Sequence, residues 1–229
     1  MIVTQGLTKI YTMGDNKIHA LSDVSITIRA GEFAAFVGPS GSGKSTLMNL
    51  LGCLDTPTSG SYFLGGRDIG KARSNELAHI RNRRIGFVFQ GFNLLPSATA
   101  LENTELPGVY NGMGMRARRR KALDILERLG LADRIHHRPH QLSGGQQQRV
   151  AIARALMTDP DIIMADEPTG NLDSATGHEI LELLRSLNEG GRTILLITHN
   201  QDIASYAGRI LSLIDGRIVS DTGEGSAAS

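Results

Sequence analysis

A glycine-rich segment with a single lysine carries the strongest chemical signal in the sequence. It reads GPSGSGKST and consists of Gly38, Pro39, Ser40, Gly41, Ser42, Gly43, Lys44, Ser45 and Thr46. The spacing fits G-x-x-x-x-G-K-[ST], in which the glycines let successive backbone N–H groups curl around a phosphate. Lys44 would bring positive charge to the β- and γ-phosphates, and the Ser45 hydroxyl would bind Mg²⁺. A helix beginning at about Ser45 would add its positive end. The segment predicts a nucleoside triphosphate site, and by itself it does not choose between ATP and GTP.

Two adjacent carboxylates follow an apolar run near the start of the last third of the chain. Asp166 and Glu167 come directly after residues 162–165. Ligands of open α/β sheets bind at the carboxyl ends of buried parallel strands. Asp166 is therefore expected to hold Mg²⁺ through water. Glu167 follows immediately, so its side chain is expected to point the other way from that of Asp166, and this would place it to polarise the attacking water near the γ-phosphate.

A third motif has two interpretations. Ser143, Gly144, Gly145 and Gln146 follow Leu142. Locally, Ser143 with Gln146 three residues later is a capping box that starts a helix. Functionally, the two glycines would leave the N-terminus of that helix open to a phosphate.

The elements that position these motifs follow from hydrophobic periodicity. The first thirty residues predict antiparallel strands, since Val24, Ile26 and Ile28 alternate with polar residues. Residues 32–37, 161–166 and 193–198 are short apolar runs, and helical patterns lie between them. Buried strands that alternate with helices indicate a parallel sheet. Asp215-Gly216 between two apolar runs predicts a terminal hairpin.

Composition excludes several classes of protein. The 229 residues suit one domain, or one domain with an inserted subdomain. A net charge of +1 argues against a general polyanion binder, and the absence of Trp with only 4% aromatic residues argues against a base-stacking platform. The single cysteine, Cys53, excludes an internal disulfide. No apolar run reaches the length of a membrane span and the N-terminus lacks a secretory pattern, so any membrane role is expected to come through a partner.

Two further clusters are assigned no catalytic role. The basic run Arg116, Arg118, Arg119, Arg120 and Lys121 is expected to form a solvated helix face, near acidic lipid headgroups or free in solvent, rather than a nucleic-acid site. His136, His137 and His140 surround Pro139, which spoils helical presentation of metal ligands, so we expect an exposed loop there.

The sequence resembles the ATPase subunits of ABC transporters over nearly its whole length. LSGGQQQRVAIARAL is similar to the family signature and the helix after it, and it occurs together with GPSGSGKST and IIMADEP. The resemblance implies a P-loop ATPase core with a mostly parallel sheet, an N-terminal antiparallel β subdomain and an inserted helical subdomain. Residues 1–229 would form one nucleotide-binding domain, with the helical part at about 91–157.

The resemblance also implies roles for residues that spacing alone does not identify. Gln90 is similar to the Q-loop residue that contacts Mg²⁺, Asp173 belongs to a D-loop-like NLD segment, and His199 is similar to the switch histidine at the γ-phosphate. Tyr11 is similar to the aromatic residue that stacks on adenine. The implied cofactors are ATP and Mg²⁺, and the implied metal ligands are Ser45, Gln90 and Asp166.

The implied assembly is a head-to-tail homodimer that closes on ATP and drives an integral membrane permease. Ser143 and its neighbouring N–H groups would complete the partner chain's site. Such a chain would lie in the cytoplasm, on the inner face of the cell membrane. The segments FNLLPSATALENTELP, HALSDVSI and ADEPTGNLDS resemble macrolide-export and lipoprotein-release ATPases most.

Three alternatives use the same motifs. DNA-repair and chromosome ATPases carry long coiled coils between the phosphate loop and the signature, and this chain has no sustained heptads there. Translation factors of the superfamily have two tandem cassettes, and this chain has one. An ATPase that regulates cell-wall hydrolases without moving a substrate would look the same, so this alternative stays open.

Overall fold

The computed structural model describes residues 1–14 and 16–223. Eleven strands and seven α-helices occur in these residues. In chain order they are β1 (Ile2–Met13), β2 (Asn16–Val24), β3 (Thr27–Ile28), β4 (Phe33–Val37), α1 (Lys44–Leu51), β5 (Ser59–Leu64), β6 (Arg67–Asp68), α2 (Ser74–Arg84), β7 (Ile85–Phe89), α3 (Ala100–Tyr110), α4 (Met115–Arg128), α5 (Gly144–Leu156), β8 (Ile162–Asp166), α6 (Ser174–Glu189), β9 (Thr193–Thr198), α7 (Gln201–Ala204), β10 (Arg209–Ile214) and β11 (Arg217–Asp221). Short 3₁₀ turns occur at Ala132–Arg134 and Pro139–Gln141.

The chain divides into two compact units. The first contains residues 1–81 and the described residues from 187 onward, and the second contains residues 82–186. Each unit has its own strands and its own buried apolar side chains, and the boundaries fall inside the sequences of α2 and α6.

The first unit contains an antiparallel sheet with the strand order β2-β1-β5-β6, and β3 also pairs with β1. Val24, Ile26 and Ile28 are buried, whereas Ser25 and Thr27 between them are exposed. Strands of period two place alternate residues on one face, so the alternation predicted from the sequence is present.

The first unit also contains strands in the order β11-β10-β4-β9. β10 and β9 both run parallel to β4, and β11 returns antiparallel to β10 through the predicted Asp215-Gly216 turn. All five residues of β4 and all six of β9 are buried. Strands buried on both faces are typical of parallel sheets and explain these continuous apolar runs.

The second unit combines helices with one parallel strand pair. β7 runs parallel to β8, and α3, α4 and α5 pack together. Leu126 of α4 and Val150 and Ile152 of α5 are fully buried, as is Ile163 of β8. These helices lie within the range 91–157 predicted to be helical.

The predicted fold class, a mostly parallel α/β core with an antiparallel N-terminal part and an inserted helical part, is confirmed. The treatment of residues 1–229 as one nucleotide-binding domain stays a prediction. No helix of the described residues combines the length and the apolar character needed to cross a membrane.

Candidate functional site

The phosphate loop lies between the buried strand β4 and helix α1, where the motif requires it. Gly38, Gly41 and Gly43 have φ values of +157°, +80° and +102°. A Cβ atom on Gly38 would lie 2.1 Å from the carbonyl oxygen of Leu213, and one on Gly43 would lie 2.4 Å from that of Ala20. Only glycine fits at these two positions, because the backbone of neighbouring segments touches the loop.

The Lys44 side chain lies over the backbone of its own loop. The Lys44 ammonium donates hydrogen bonds to the carbonyl oxygens of Gly38 and Pro39, each at 2.8 Å. Helix α1 begins after Gly43 with no side-chain cap and no acidic residue in its first turn. A lysine held over a helix N-terminus that lacks a side-chain acceptor is an arrangement that favours a bound anion.

The turn between β10 and β11 is hydrogen-bonded to the phosphate loop, a contact that the sequence does not predict. The backbone N–H of Gly216, in the β10–β11 turn, donates to the Ser42 carbonyl at 2.9 Å, and the Gly216 carbonyl accepts from the N–H of Ser22 at 2.9 Å. The DG pair predicts the turn from sequence. Its position against the phosphate loop is a long-range contact that carries no local signal.

His199 leaves the sheet at the same edge as the phosphate loop. Val37 pairs with Thr198 in the parallel ladder of β4 and β9, so Gly38 and His199 are the next residues of adjacent strands. His199 is exposed, and Asn200 after it caps α7. The structure thus brings His199 and the loop together, as parallel strands with paired ends must.

Tyr11 belongs to a small cluster of polar side chains that also contacts the start of α1. Its hydroxyl donates to Asp55 at 2.9 Å, Lys9 contacts Asp55 at 2.7 Å, and the Lys9 ammonium lies 4.9 Å from the centre of the Tyr11 ring. Burial and the Asp55 carboxylate raise the pKa of Tyr11, while a hydrogen bond with Thr46 of the loop acts in the opposite direction. Stacking of Tyr11 on adenine stays a prediction.

In the second unit, Asp166, Glu167 and Gln90 lie at the carboxyl ends of two adjacent parallel strands. Phe89 pairs with Asp166 in the parallel ladder of β7 and β8, so Gln90 and Glu167 follow directly at adjacent strand ends. Glu167 has a φ of +45°, outside the extended region. Strand β8 ends at Asp166, so Glu167 does not follow the strand alternation from which the orientation of its side chain was predicted. Left-handed backbone at a residue other than glycine is a form of strain that proteins concentrate at functional sites.

Gln90 contacts the segment that contains Asp173. Its amide nitrogen lies 3.3 Å from the Asn171 side-chain oxygen, and Asn171 donates to the Gln90 carbonyl at 3.0 Å. The Asp173 carboxylate accepts hydrogen bonds from the backbone N–H of Thr176, at 3.0 Å, and from its hydroxyl, at 2.7 Å. These hydrogen bonds lower the pKa of Asp173. Asp173 is thus committed to the first turn of α6.

The predicted capping box at Ser143 is present. The Ser143 hydroxyl accepts from the Gln146 N–H at 3.2 Å, and the Gln146 side chain accepts from the Ser143 N–H at 3.0 Å. The glycines have a second use that the sequence does not indicate. A Cβ atom on Gly145 would lie 2.4 Å from Cγ2 of Thr176, and one on Gly144 would lie 3.0 Å from Cδ2 of Leu172. Both glycines permit close packing of α5 against residues 171–176.

Two side chains of α5 support this edge and were missed by sequence reasoning. Gln148 is fully buried and donates to the Pro168 carbonyl at 2.6 Å, one residue after Glu167. Arg154 donates to the Phe92 carbonyl at 2.9 Å and also to that of Asn93, behind Gln90. Burial lowers the pKa of Arg154. A polar residue on a buried helix face was the available signal, but its partner cannot be identified from spacing.

Comparison with protein families and with known proteins gives consistent results. Residues 21–170 match the family model described as ABC transporter. The chain is 52% identical over 229 residues to the macrolide export ATP-binding/permease protein MacB of Hyphomonas neptunium, and the match covers 36% of that protein. It is 55% identical over 210 residues to an uncharacterized ABC transporter ATP-binding protein of Thermotoga maritima, with 92% of this chain and 90% of that protein covered.

Solved structures agree with the sequence comparisons. The ATP-binding cassette MJ0796, solved as a dimer in a post-hydrolysis state with ADP and Pi, superimposes with a TM-score of 0.89. The two chains are 47% identical, and the match covers 96% of this chain and 97% of that one. The chain thus spans nearly all of a solved cassette, but only about a third of the MacB relative.

Proposed function

The chain belongs to the ABC transporter family as an ATP-binding cassette, and from this premise we propose that it hydrolyses ATP to drive a membrane permease of the export type. The phosphate loop is the observation that carries the proposal. The loop follows a fully buried strand, and three of its glycines have positive φ. Lys44 lies over the loop, and the helix that follows has no side-chain cap at its N-terminus.

We assign the binding of the triphosphate to the loop and Lys44. The backbone N–H groups of the loop would receive the phosphate oxygens, and Lys44 would exchange its contacts with Gly38 and Pro39 for the β- and γ-phosphates. Tyr11 would receive the adenine ring. His199 would contact the γ-phosphate from the adjacent strand end.

The remaining roles concern the attacking water and the metal ion. Glu167 would hold the attacking water and accept its proton, a role that suits a carboxylate at the end of a buried strand. The side chains of Ser45, Gln90 and Asp166 each include an oxygen atom, the donor type that Mg²⁺ prefers, so the residues fit this ion. When bound with ATP, Mg²⁺ would neutralise charge on the phosphates. Asp173 and Arg154 would act by positioning their neighbours.

The assembly is proposed to be a head-to-tail dimer, with Ser143 and the N–H groups of Gly144 and Gly145 contacting the partner's ATP, while Gln146 holds Ser143 in place through the capping box. MJ0796 was solved as a dimer, and MacB is named as both ATP-binding protein and permease. We propose that a permease, in the same polypeptide or in a separate chain, holds this cassette at the cytoplasmic face of the cell membrane. Macrolides or lipoproteins are the proposed substrate class.

Substitution of Lys44 tests the proposal. Lys44→Ala removes the charge that faces the phosphates and leaves the backbone of the loop in place, so ATP affinity and turnover should both fall while the circular dichroism spectrum is unchanged. Calorimetry measures the affinity and phosphate release measures the turnover. Unchanged ATP affinity would exclude this loop as the binding site.

Reconstitution with the permease separates transport from regulation. The cassette and the permease encoded with it, placed in vesicles, should release phosphate faster than the cassette alone and should move a macrolide or lipoprotein across the bilayer. Stimulated phosphate release without any movement of substrate would support the regulatory alternative instead.

A further inference from the structure

The turn between α3 and α4 exposes apolar side chains that the proposed ATPase chemistry does not use. Tyr110, the last residue of α3, is 76% exposed, and Val109 before it is 49% exposed. Met115, the first residue of α4, is 71% exposed. A single exposed apolar side chain needs no explanation, but three around one turn form a cluster.

Exposed arginines follow directly on the first turns of α4. Arg116, Arg119 and Arg120 are all exposed and have the i, i+3, i+4 spacing that places them on one helix face. Arg118 differs, because its Nε lies 4.0 Å from Oε1 of Glu105 and its side chain is only 19% exposed. The predicted basic run is thus divided, with one arginine turned to Glu105 and three exposed to solvent.

The surroundings keep this surface positive. Arg83, also exposed, donates from Nε to the Asn111 side chain at 3.0 Å, within the same turn. Along α4, the first exposed carboxylate is Asp124, one turn after Arg120. The whole chain has a net charge of only +1, so the positive charge here is a local concentration rather than a general property.

We propose that this tip surface, formed by Val109, Tyr110, Met115, Arg116, Arg119 and Arg120, binds the surface of an anionic lipid bilayer. Guanidinium groups attract anionic headgroups, while the apolar side chains and the tyrosine ring enter the boundary between headgroups and acyl chains. A nucleic acid would neutralise the arginines but would offer no apolar layer to Val109 and Met115. The proposal does not depend on the ATPase function, since vesicles without permease or nucleotide test it.

Vesicle flotation tests the electrostatic part. The purified chain should float with phosphatidylcholine vesicles that contain phosphatidylglycerol and should not float with phosphatidylcholine alone. Arg116→Gln, Arg119→Gln and Arg120→Gln together should weaken partitioning by roughly 10²-fold, about fivefold for each charge near the surface. Glutamine suits a helix, so α4 should be retained, and Arg116→Gln alone should still give about a fivefold loss.

A matched control tests whether binding is local to the tip surface, and an apolar variant tests whether its side chains enter the bilayer. Arg29→Gln, Lys71→Gln and Arg73→Gln remove the same charge from exposed positions of the first unit and should leave partitioning within about twofold of the original chain, because none of them belongs to the tip surface. Tyr110→Gln with Met115→Gln should weaken partitioning at high and at low salt, since apolar burial is not screened. All variants should keep their ATP turnover in the absence of vesicles.

Three results would overturn the proposal. If the three control substitutions weaken partitioning as much as the three arginine substitutions of the tip surface, only the net charge of the chain matters. Unchanged partitioning after the Tyr110 and Met115 substitutions would mean that no apolar insertion occurs. If the chain instead binds single-stranded RNA more tightly than anionic vesicles and loses both activities when the three tip arginines are replaced, this result would assign the surface to nucleic acid.

Discussion

At the scale of single residues, the position of Glu167 predicts its effect on turnover. Glu167→Gln keeps the size of the side chain but removes its basicity, so ATP hydrolysis should slow by roughly 10²- to 10⁴-fold, the usual contribution of a general base. ATP binding should persist because the phosphate loop is unchanged. Single-turnover phosphate release and gel filtration with ATP measure both effects, and the variant should accumulate as a dimer. Turnover near that of the original chain would exclude Glu167 from this role.

Cys53 should be chemically inert in the folded protein. It is 1% exposed, and burial raises the pKa of its thiol to about 11. Because the thiolate is the reactive form, a soluble alkylating reagent at neutral pH should label the native chain at a small fraction of the rate seen in denaturant. Mass spectrometry counts the labels. Rapid native labelling would show that the Cys53 region opens readily.

At the scale of elements, the N-terminus of α3 depends on a capping box at Thr99. The Thr99 hydroxyl accepts from the Glu102 N–H at 3.2 Å, and the Glu102 carboxylate accepts from the Thr99 N–H at 2.7 Å. Thr99→Ala should lower the free energy of unfolding by about 0.5–2 kcal/mol, whereas Thr99→Ser should retain most of it. Urea unfolding of the three chains measures the difference.

The effect of Thr99→Ala should also depend on pH. The hydrogen bonds from the Thr99 backbone and side chain hold the pKa of Glu102 below its usual value in the folded chain. A depressed folded pKa contributes stability above the unfolded pKa, and this stability is lost as the pH falls through the folded pKa. The gap between wild type and Thr99→Ala should therefore narrow in acid. A gap that widens in acid would contradict the carboxylate's part in the cap.

The packing of α5 predicts an unusual sign for a glycine substitution. Alanine normally stabilises a helix by about 1 kcal/mol relative to glycine. Gly145→Ala should instead destabilise this chain by about 1–2 kcal/mol, because the new methyl group meets Cγ2 of Thr176 at 2.4 Å. In a Thr176→Ser background that methyl is absent, and the hydroxyl remains for Asp173. Gly145→Ala should then be neutral or stabilising, and destabilisation of the same size in both backgrounds would refute the contact.

These elements also show what the sequence could and could not predict. Strands β4, β8 and β9 and the terminal hairpin were predictable, because strong apolar runs and an Asp-Gly pair are local signals. Helix α2 was missed, since SNELAHIRNRR buries only Leu77 and Ile80 and has no apolar stripe.

The candidate site divides in the same way. The phosphate loop and the Ser143 capping box are local patterns, and both have the predicted geometry. The contacts of Gln148 with Pro168 and of Gly216 with Ser42 join distant parts of the chain, so spacing does not reveal them. The left-handed backbone at Glu167 was also unpredictable, because glutamate, unlike aspartate and asparagine, is not enriched in this conformation.

At the scale of the whole molecule, the proposed dimer divides each ATP site between two chains, and mixing two inactive variants tests this. Lys44→Ala removes the charge that we propose faces the phosphates in one chain, and Ser143→Arg blocks the surface that the chain would offer to its partner. In a mixed head-to-tail dimer, one site receives both defects and the other receives intact Lys44 and intact Ser143. Random mixing makes about half of the dimers mixed, so at most about a quarter of the sites are restored. A site built within one chain stays inactive in every mixture, and phosphate release distinguishes the two.

Cross-linking completes the test of the shared site. If both ATP sites of a dimer must hydrolyse ATP together, the mixture would show no recovery of phosphate release even when each site is built from two chains. Gly145 is unsuited to cysteine, since any Cβ there meets Thr176. Ser40 of the loop and Ser143 are both exposed serines that cysteine replaces at nearly equal size. Cys53 is buried and should add little background. With Ser40→Cys on one chain and Ser143→Cys on the other, ATP in a hydrolysis-deficient Glu167→Gln background should promote a cross-chain disulfide, visible on a non-reducing gel. If ATP neither restores activity in the mixture nor promotes this bond, the shared site is wrong.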